Sequence, residues 1–176
     1  MINRLWTPWR MAFIQGEKPR DCLFCRIARE DDDRRNLVLH RGRHNFVLLN
    51  AYPYTSGHLM VAPYAHVGNL DDLDGATTSE MMELAKRAIR ALRKGERAEA
   101  FNVGVNLGAA AGAGIIDHAH LHVVPRWQGD SNFMPVVGDV RLIPETLDVT
   151  YDKLIAAGIA EGKPGDPGSD DRLPQR

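Results

Sequence analysis

The chain has 176 residues, of which 44% are hydrophobic and 26% charged, and its formal net charge is −1. This composition is typical of one soluble domain with a sizeable core. The balanced charge gives no support to a protein that binds nucleic acid through bulk phosphate attraction, and no window has the length and apolarity of a membrane span. Two cysteines cannot form a disulfide framework and fit a reducing compartment, so a cytoplasmic protein is expected.

The two ends of the chain differ from the rest in composition. Residues 1–20 place apolar side chains such as Trp6 and Trp9 among prolines and basic residues, which predicts an apolar arm that docks on its own domain or on a partner subunit. Residues 161–176 are rich in glycine, proline and charge, and we expect them to be disordered. Residues 21–160 are therefore predicted to form a single folded domain.

The hydrophobic pattern of this domain predicts a short helix from about Leu23 to Glu30, followed by short strands and one long helix. The predicted strands are Leu37–Arg41, Phe46–Asn50, His58–Ala62, Phe101–Leu107 and Ala119–Val124. Gly42 indicates a hairpin between the first two strands, whose tip, with Arg41, Arg43 and His44, is expected to be solvated. Local connections favour an α+β fold: an antiparallel sheet of about five strands, with one long and one or two short helices on one face.

The long helix lies between the third and fourth predicted strands. Thr77 and Glu80 match a capping box at its start, and Gly95 is expected to end it. Its predicted apolar stripe consists of Met82, Ala85, Ile89 and Leu92.

The last predicted strand carries three histidines at alternate positions, His118, His120 and His122. Because side chains alternate along a strand, the three imidazoles should share one face, and each needs a polar partner there. Two functional interpretations stay open from residue chemistry alone. One is a metal site, since imidazoles two residues apart can share a zinc ion. The other is nucleophilic catalysis, in which one imidazole attacks and its neighbours fix its tautomer and handle protons.

A loop of small residues, Asn106–Gly114, directly precedes this strand. Such loops expose backbone N–H groups at close range, which is one way that proteins bind phosphate. The sequence lacks a P-loop lysine signature, the three-glycine dinucleotide fingerprint and the G-x-S-x-G elbow of serine hydrolases. A histidine nucleophile beside a phosphate-binding loop indicates phosphorus chemistry.

The segment His118–His122, followed by two apolar residues, resembles the signature of the histidine triad (HIT) superfamily of nucleotidyl hydrolases and transferases. The similarity covers roughly Cys22–Gly138 and includes the strands Phe46–Asn50 and Gly57–Pro63. The opening Leu5–Arg10 and the closing Val124–Trp127 resemble the branch that contains bacterial diadenosine tetraphosphate phosphorylases. The resemblance implies an HIT-like fold, a homodimer, and an enzyme that cleaves dinucleoside polyphosphates through a nucleotidyl-histidine intermediate.

The resemblance also implies roles for individual residues. His120 would attack the α-phosphorus, His122 would contact the same phosphate, and His118 would support the site or hold a metal. His58 matches a family histidine near the nucleophile, and Asn50 matches a partner of the ribose hydroxyls. The remaining nucleotide contacts that it implies are Leu23, Phe24, Ile27 and Leu48 around the base, Asn106 facing the phosphates, and the loop glycines Gly112 and Gly114.

The motif leaves the second nucleophile open, because water would make the enzyme a hydrolase and inorganic phosphate would make it a phosphorylase. Many triad proteins carry Gly-Gln and a hydroxyl residue before the first histidine, whereas Gly112–Asp117 contains neither, so backbone groups must replace those side chains. A divalent ion such as Mg²⁺ with the substrate also stays open. The alternative from another functional class is a non-catalytic nucleotide-binding module stabilised by zinc.

The two cysteines, Cys22 and Cys25, have the spacing that lets both sulfur atoms bind one zinc ion. The resemblance adds His66 and His118, because zinc-containing triad proteins have histidines at similar positions. The four residues would form a closed Cys₂His₂ set, which is the composition of a structural zinc site.

Overall fold

The computed structural model describes residues 21–130 and 145–161. The apolar arm expected at residues 1–20 lies outside the described residues, as does the tail expected to be disordered, except for its first residue, Glu161. Among the helices of the described ranges, none combines the length and the apolarity that crossing a bilayer requires.

The described chain forms a five-stranded antiparallel sheet in the order β1-β2-β3-β5-β4. The strands are β1 (Val38–Arg41), β2 (Asn45–Leu49), β3 (Leu59–Pro63), β4 (Ala100–Val105) and β5 (Leu121–Arg126). The helices are α1 (Leu23–Arg29), α2 (Gly75–Glu96) and α3 (Leu147–Ala156), and a short 3₁₀ turn spans Ala109–Ala111. The α+β class and the antiparallel sheet of about five strands are confirmed.

The two faces of the sheet are covered by different helices. Val47 and Leu49 of β2 belong to the larger core with α2 and α3, whereas Phe46 and Leu48 belong to a smaller cluster with Phe24 of α1. This division follows from the alternation of side chains along a strand, and it explains why β2 is apolar throughout. The expectation that all helices lie on one face is wrong, because the apolar side of α1 packs on the face opposite α2.

Helix α2 begins and ends at residues other than those predicted. Asp74 is its N-cap and accepts a hydrogen bond from the N–H of Thr77 at 2.7 Å, so Thr77 lies in the first turn and does not cap it. The helix continues to Glu96, and Arg97 adopts the left-handed conformation after it, with φ of 52°. Gly95 lies inside the helix, where a Cβ atom would come within 3.2 Å of the Lys153 carbonyl oxygen. It therefore allows α3 to approach closely.

The face of α2 that packs on the sheet also differs from the prediction at one position. Met82 is 51% exposed, and the inward position is occupied by Met81, which is 2% exposed. The remaining buried apolar residues of α2 are Leu84, Ala85, Ala88, Ala91 and Leu92. The predicted stripe was therefore right in period but wrong at Met82, which faces solvent.

The predicted strands agree with the observed ones to within one or two residues. Leu37 has a positive φ of 59° and precedes β1, and β5 begins at Leu121 instead of Ala119. The hairpin tip was predicted less well, because Arg41 turns inward to donate hydrogen bonds to carbonyl oxygens of α1. Of the short helices, α1 was predicted in place, whereas α3 was not placed by the sequence pattern.

Candidate active site

The histidines of the motif meet the buried His58 where β3 and β5 lie side by side. His122 pairs with Met60 across these two strands, which brings it next to His58, two residues before Met60. The Nε2 atom of His58 lies 2.9 Å from Nδ1 of His122. The rings of His120 and His122 are also in contact, with centroids 4.8 Å apart. Three imidazoles are thus held in one row by strand pairing.

The protonation of His120 follows from its hydrogen bond to the main chain. Its Nδ1 atom lies 2.9 Å from the carbonyl oxygen of His118, and because a carbonyl only accepts, Nδ1 must carry the proton. Burial lowers the pKa of His120, although the bond to His118 opposes this shift. The neutral ring therefore has its lone pair on Nε2, which is the form that can act as a nucleophile.

His122 has the opposite tautomer, which is set by His58. The Nδ1 atom of His58 accepts a hydrogen bond from the backbone N–H of Tyr54 at 3.1 Å, so neutral His58 carries its proton on Nε2. That Nε2–H donates to Nδ1 of His122, which leaves the proton of neutral His122 on its Nε2. The site thus combines a lone-pair nitrogen on His120 with an N–H donor on His122.

A pocket lies in front of this pair. Its lining residues are Leu23, Phe24, Asn50, Tyr52, Tyr54, Met60, Asn106, Gly112, Gly114, Ile115, His120 and His122. The structure therefore brings together six of the eight predicted nucleotide contacts and two of the four predicted catalytic histidines. Ile27 and Leu48 are buried behind Phe24 in the smaller cluster and do not line the pocket. The buried rings of His58 and His118 also lie behind its surface.

Four lining residues were missed by sequence reasoning: Tyr52, Tyr54, Met60 and Ile115. Tyr52 and Tyr54 flank Pro53 in the turn after β2, and two aromatic rings in a turn are a signal that could have indicated a binding surface. Tyr54 stacks on His58 with ring centroids 4.6 Å apart. Met60 and Ile115 give no such signal, since their sequence pattern is that of ordinary core residues.

The small-residue loop is shaped by two glycines. Gly108 and Gly112 flank the 3₁₀ turn with φ of 75° and 85°, values that only glycine adopts readily. The N–H of Gly112 donates to the Ala109 carbonyl at 2.9 Å, so it is engaged within the loop. Gly112 therefore contributes backbone shape to the pocket wall.

A second cluster lies behind the pocket and contains Cys22, Cys25, His66 and His118, whose ligand atoms are all within 4.8 Å of one another. His118 Nδ1 lies 3.3 Å from Cys22 Sγ and 3.6 Å from Cys25 Sγ, and 3.4 Å from His66 Nδ1. A tetrahedral zinc site has edges of about 3.4 Å between two nitrogens and about 3.6 Å between nitrogen and sulfur, given the usual zinc–ligand bond lengths. The four residues present fit such an ion.

The orientation of His118 supports this fit. Its Nε2–H donates to the carbonyl oxygen of Pro63 at 2.8 Å, which leaves the Nδ1 lone pair facing the sulfur atoms. Burial lowers the pKa of His118, partly offset by the bond to Pro63. The three motif histidines do not converge on one point, since among the described residues His118 alone of the three belongs to a ligand cluster. The hypothesis that the three motif histidines share one metal ion is therefore wrong.

Comparisons with known proteins agree with this geometry. Residues 33–129 match the HIT domain family. An AP-4-A phosphorylase of Mycobacterium tuberculosis is 42% identical over 156 residues, which cover 83% of this chain and 79% of that protein. An uncharacterised HIT-like protein of Mycoplasma pneumoniae is 30% identical over 70% of this chain and 83% of its own. A zinc-bound histidine triad family protein from Mycobacterium smegmatis superposes with a TM-score of 0.63 at 30% identity, covering 78% and 92% of the two chains.

Proposed function

Because this chain belongs to the HIT domain family, we propose that it is an enzyme that cleaves dinucleoside polyphosphates by nucleotidyl transfer, acting as a phosphorylase on diadenosine tetraphosphate. The observation that carries the proposal is the pair of complementary tautomers, with a lone pair on His120 Nε2 and a proton on His122 Nε2. Both rings line the same pocket. A nucleophile and a hydrogen-bond donor side by side are what displacement at phosphorus requires.

The proposed reaction has two displacements. His120 Nε2 forms a bond to the α-phosphorus, while the bond from that phosphorus to the bridging oxygen breaks and its electron pair leaves with ATP. His122 donates its Nε2–H to an oxygen of the transferred phosphoryl group, where negative charge must be stabilised. An oxygen of inorganic phosphate then attacks the same phosphorus, the P–N bond breaks, and ADP is released with His120 restored. Water in the same role would release AMP.

Product analysis on diadenosine tetraphosphate tests this proposal directly. We expect ADP plus ATP only when inorganic phosphate is present. The His120→Ala variant should abolish turnover and still bind nucleotide, whereas the control His44→Ala, at the hairpin tip outside the pocket, should retain turnover. Assays with and without Mg²⁺ test the divalent ion.

Other outcomes of this experiment would contradict parts of the proposal. AMP plus ATP formed in both tubes would make the enzyme a hydrolase that uses water. Turnover that survives in His120→Ala would exclude this residue as the nucleophile. Absence of cleavage under every condition, together with tight nucleotide binding, would favour the non-catalytic binding module.

We further propose that Cys22, Cys25, His66 and His118 hold one structural zinc ion. The distances between the ligand atoms, the Cys₂His₂ composition and the zinc-bound relative support this proposal. The ion would fix α1 against β3 and the start of β5, and it would supply no group to the transfer reaction. Thiols kept reduced for metal binding suit the cytoplasm as the proposed location. Metal analysis of the purified protein should find one zinc per chain.

We also propose that the enzyme is a homodimer. Strand β4 is an edge strand in the described sheet, and Val103 on it is 42% exposed. An exposed edge with apolar side chains is a surface that another chain can cover by strand pairing or packing. Sedimentation equilibrium of the full chain would give its mass and would contradict the proposal if it matched one chain.

A further inference from the structure

The side chain of Asn50 contacts the segment between β2 and β3 at both of its polar ends, through Tyr52 and His58. Its Oδ1 accepts a hydrogen bond from the backbone N–H of Tyr52 at 2.9 Å. Because a backbone N–H only donates, this contact determines which end of the amide is oxygen. The Nδ2 group then lies 3.3 Å from Nδ1 of His58 and is the donor in that contact.

The ring of His58 is therefore fixed from several sides. Nδ1 faces two donors, the Asn50 amide and the Tyr54 N–H, and Tyr54 covers one face of the ring. The main chain adds a bond from the Asn50 N–H to the His58 carbonyl at 2.9 Å. A proton on Nδ1 would oppose both donors, so the Nε2–H tautomer that faces His122 is strongly favoured.

We propose that Asn50 is a positioning residue for the transfer reaction, acting through His58 on the tautomer and orientation of His122. This inference rests on the proposed function and goes beyond the ribose contact that family resemblance assigns to Asn50. The two roles differ in chemistry. A ribose hydroxyl can be bound equally well by an amide or a carboxylate, whereas Nδ1 of His58 requires a donor.

The Asn50→Asp variant separates the two roles. Its carboxylate keeps an acceptor for the Tyr52 N–H and an oxygen for a ribose hydroxyl, but it cannot donate to His58. We expect kcat to fall about tenfold, the kinetic equivalent of one lost hydrogen bond, with KM nearly unchanged. Asn69→Asp, an exposed asparagine in another loop, is the matched control and should retain wild-type kcat. Wild-type kcat in Asn50→Asp would overturn the proposal.

Two further measurements show whether Asn50 acts through His58. In a double-mutant cycle, the effect of Asn50→Asp should disappear in the His58→Ala background, and an effect of equal size there would contradict the inference. The loss in Asn50→Ala should persist with a diadenosine tetraphosphate that lacks the ribose 2′- and 3′-hydroxyls. If that loss disappears instead, Asn50 acts on the ribose.

Nitrogen NMR of the ligand-free protein tests the inference independently of the proposed function. We expect Nδ1 of His58 to be unprotonated in the wild type, where it faces two donors. In Asn50→Asp we expect Nδ1 to gain a proton, because the charged carboxylate attracts that proton more strongly than the Tyr54 N–H opposes it. A proton on Nδ1 in the wild type, or the same tautomer in both proteins, would overturn the inference. Since no substrate is needed, this result stands even if diadenosine tetraphosphate is not cleaved.

Discussion

At the scale of single residues, the site depends on side chains whose hydrogen-bond partners are main-chain carbonyls. His118 and His120 each donate to a carbonyl oxygen, and each thereby turns one lone pair in a defined direction. The first lone pair faces the cysteines and the second faces the pocket. Two neighbouring histidines of the same motif thus present their lone pairs in different directions, which suits the metal-ligand and nucleophile roles proposed for them.

Arg41 is another residue whose side chain donates to main-chain carbonyls, here at the end of α1. Its guanidinium donates to the carbonyl oxygens of Ala28 and Ile27, both at 3.2 Å, and to that of Glu30 at 2.7 Å. Asp33 accepts from its Nε at 2.8 Å. Since these carbonyls end α1, which carries Cys25, the guanidinium satisfies the helix C-terminus and holds it against β1.

We therefore expect Arg41→Lys to lower the free energy of unfolding by about 1–2 kcal/mol, because an ammonium group cannot reach several carbonyls at once. Urea unfolding of the two proteins in the same buffer measures this change. Arg43→Lys, an exposed arginine on the same hairpin, is the control and should change stability by less than about 0.5 kcal/mol. Equal stability of the two variants would show that the bonds to α1 contribute nothing.

At the scale of elements, Glu80 joins α2 to the hairpin between β1 and β2. Its carboxylate accepts from the backbone N–H groups of Arg43, His44 and Asn45 at 2.6, 2.7 and 2.8 Å. The side-chain amide of Asn45 adds a fourth bond at 2.9 Å. Burial opposes ionisation, but these hydrogen bonds outweigh it and lower the pKa of Glu80. The hairpin is thus fixed to the helix by one charged group.

Replacing Glu80 by Gln should destabilise the protein by about 1–3 kcal/mol at pH 7, because an amide offers one acceptor oxygen to four donors. The lowered pKa sets the pH dependence. The contribution of Glu80 is fully present above pH 4.5, its unfolded value, and is lost as the pH falls through the folded pKa. Urea unfolding between pH 3 and pH 7 should therefore show that Glu80→Gln loses less stability at acid pH than the wild type does.

The control for this prediction is Glu83→Gln on the exposed side of the same helix, where the carboxylate pairs with Lys86. We expect it to change stability by a few tenths of a kcal/mol, as exposed ion pairs do. If the two variants lose the same amount of stability between pH 7 and pH 3, the hydrogen bonds of Glu80 to the hairpin are not the source of the pH dependence.

Glu80 also shows why sequence reasoning misplaced the start of α2. The spacing of Thr77 and Glu80 satisfies the capping-box pattern, which is a rule about local hydrogen bonds. The carboxylate instead bonds to residues at least 35 positions away in sequence, and Asp74 caps the helix. Local pattern predicted that a helix starts here, but the partner of each side chain was decided by tertiary contacts.

At the scale of the whole molecule, the hydrophobic period of the sequence was sufficient to predict the sheet, and the motif was sufficient to predict that His120 and His122 lie side by side. The motif did not predict that the lone pairs of His118 and His120 face different directions. These directions depend on the carbonyl oxygens of Pro63 and His118, whose orientation the sequence does not show. Helix α3 was missed although its sequence carries local signals, an N-cap at Thr146 and buried residues at helical spacing, Tyr151 and Leu154. That Leu154 packs into the core with α2 and the sheet depends on tertiary contacts.

Glu96, the last residue of α2, contacts both α3 and the segment that follows β5. Its side chain is only 6% exposed and lies 3.7 Å from Lys153 Nζ, and its backbone carbonyl accepts from the Trp127 indole. Burial and the nearby Glu145 carboxylate raise the pKa of Glu96 to about 7, although Lys153 opposes them. A carboxyl group that ionises near neutral pH inside the fold makes the stability of the whole domain depend on pH.

The sign of this dependence is opposite to that of Glu80. In the unfolded chain Glu96 ionises near 4.5, so between that pH and about 7 the folded state binds more protons and stability falls as the pH rises. The free energy of unfolding of Glu96→Gln should therefore be about 1–2 kcal/mol higher than that of the wild type at pH 8, since an amide stays neutral throughout. Below pH 4.5 the two proteins should be equally stable. Urea unfolding at pH 4.5, 6 and 8 measures the difference. Glu99→Gln, an exposed neighbour, should show no such trend, and a pH-independent effect of Glu96→Gln would mean that packing is responsible.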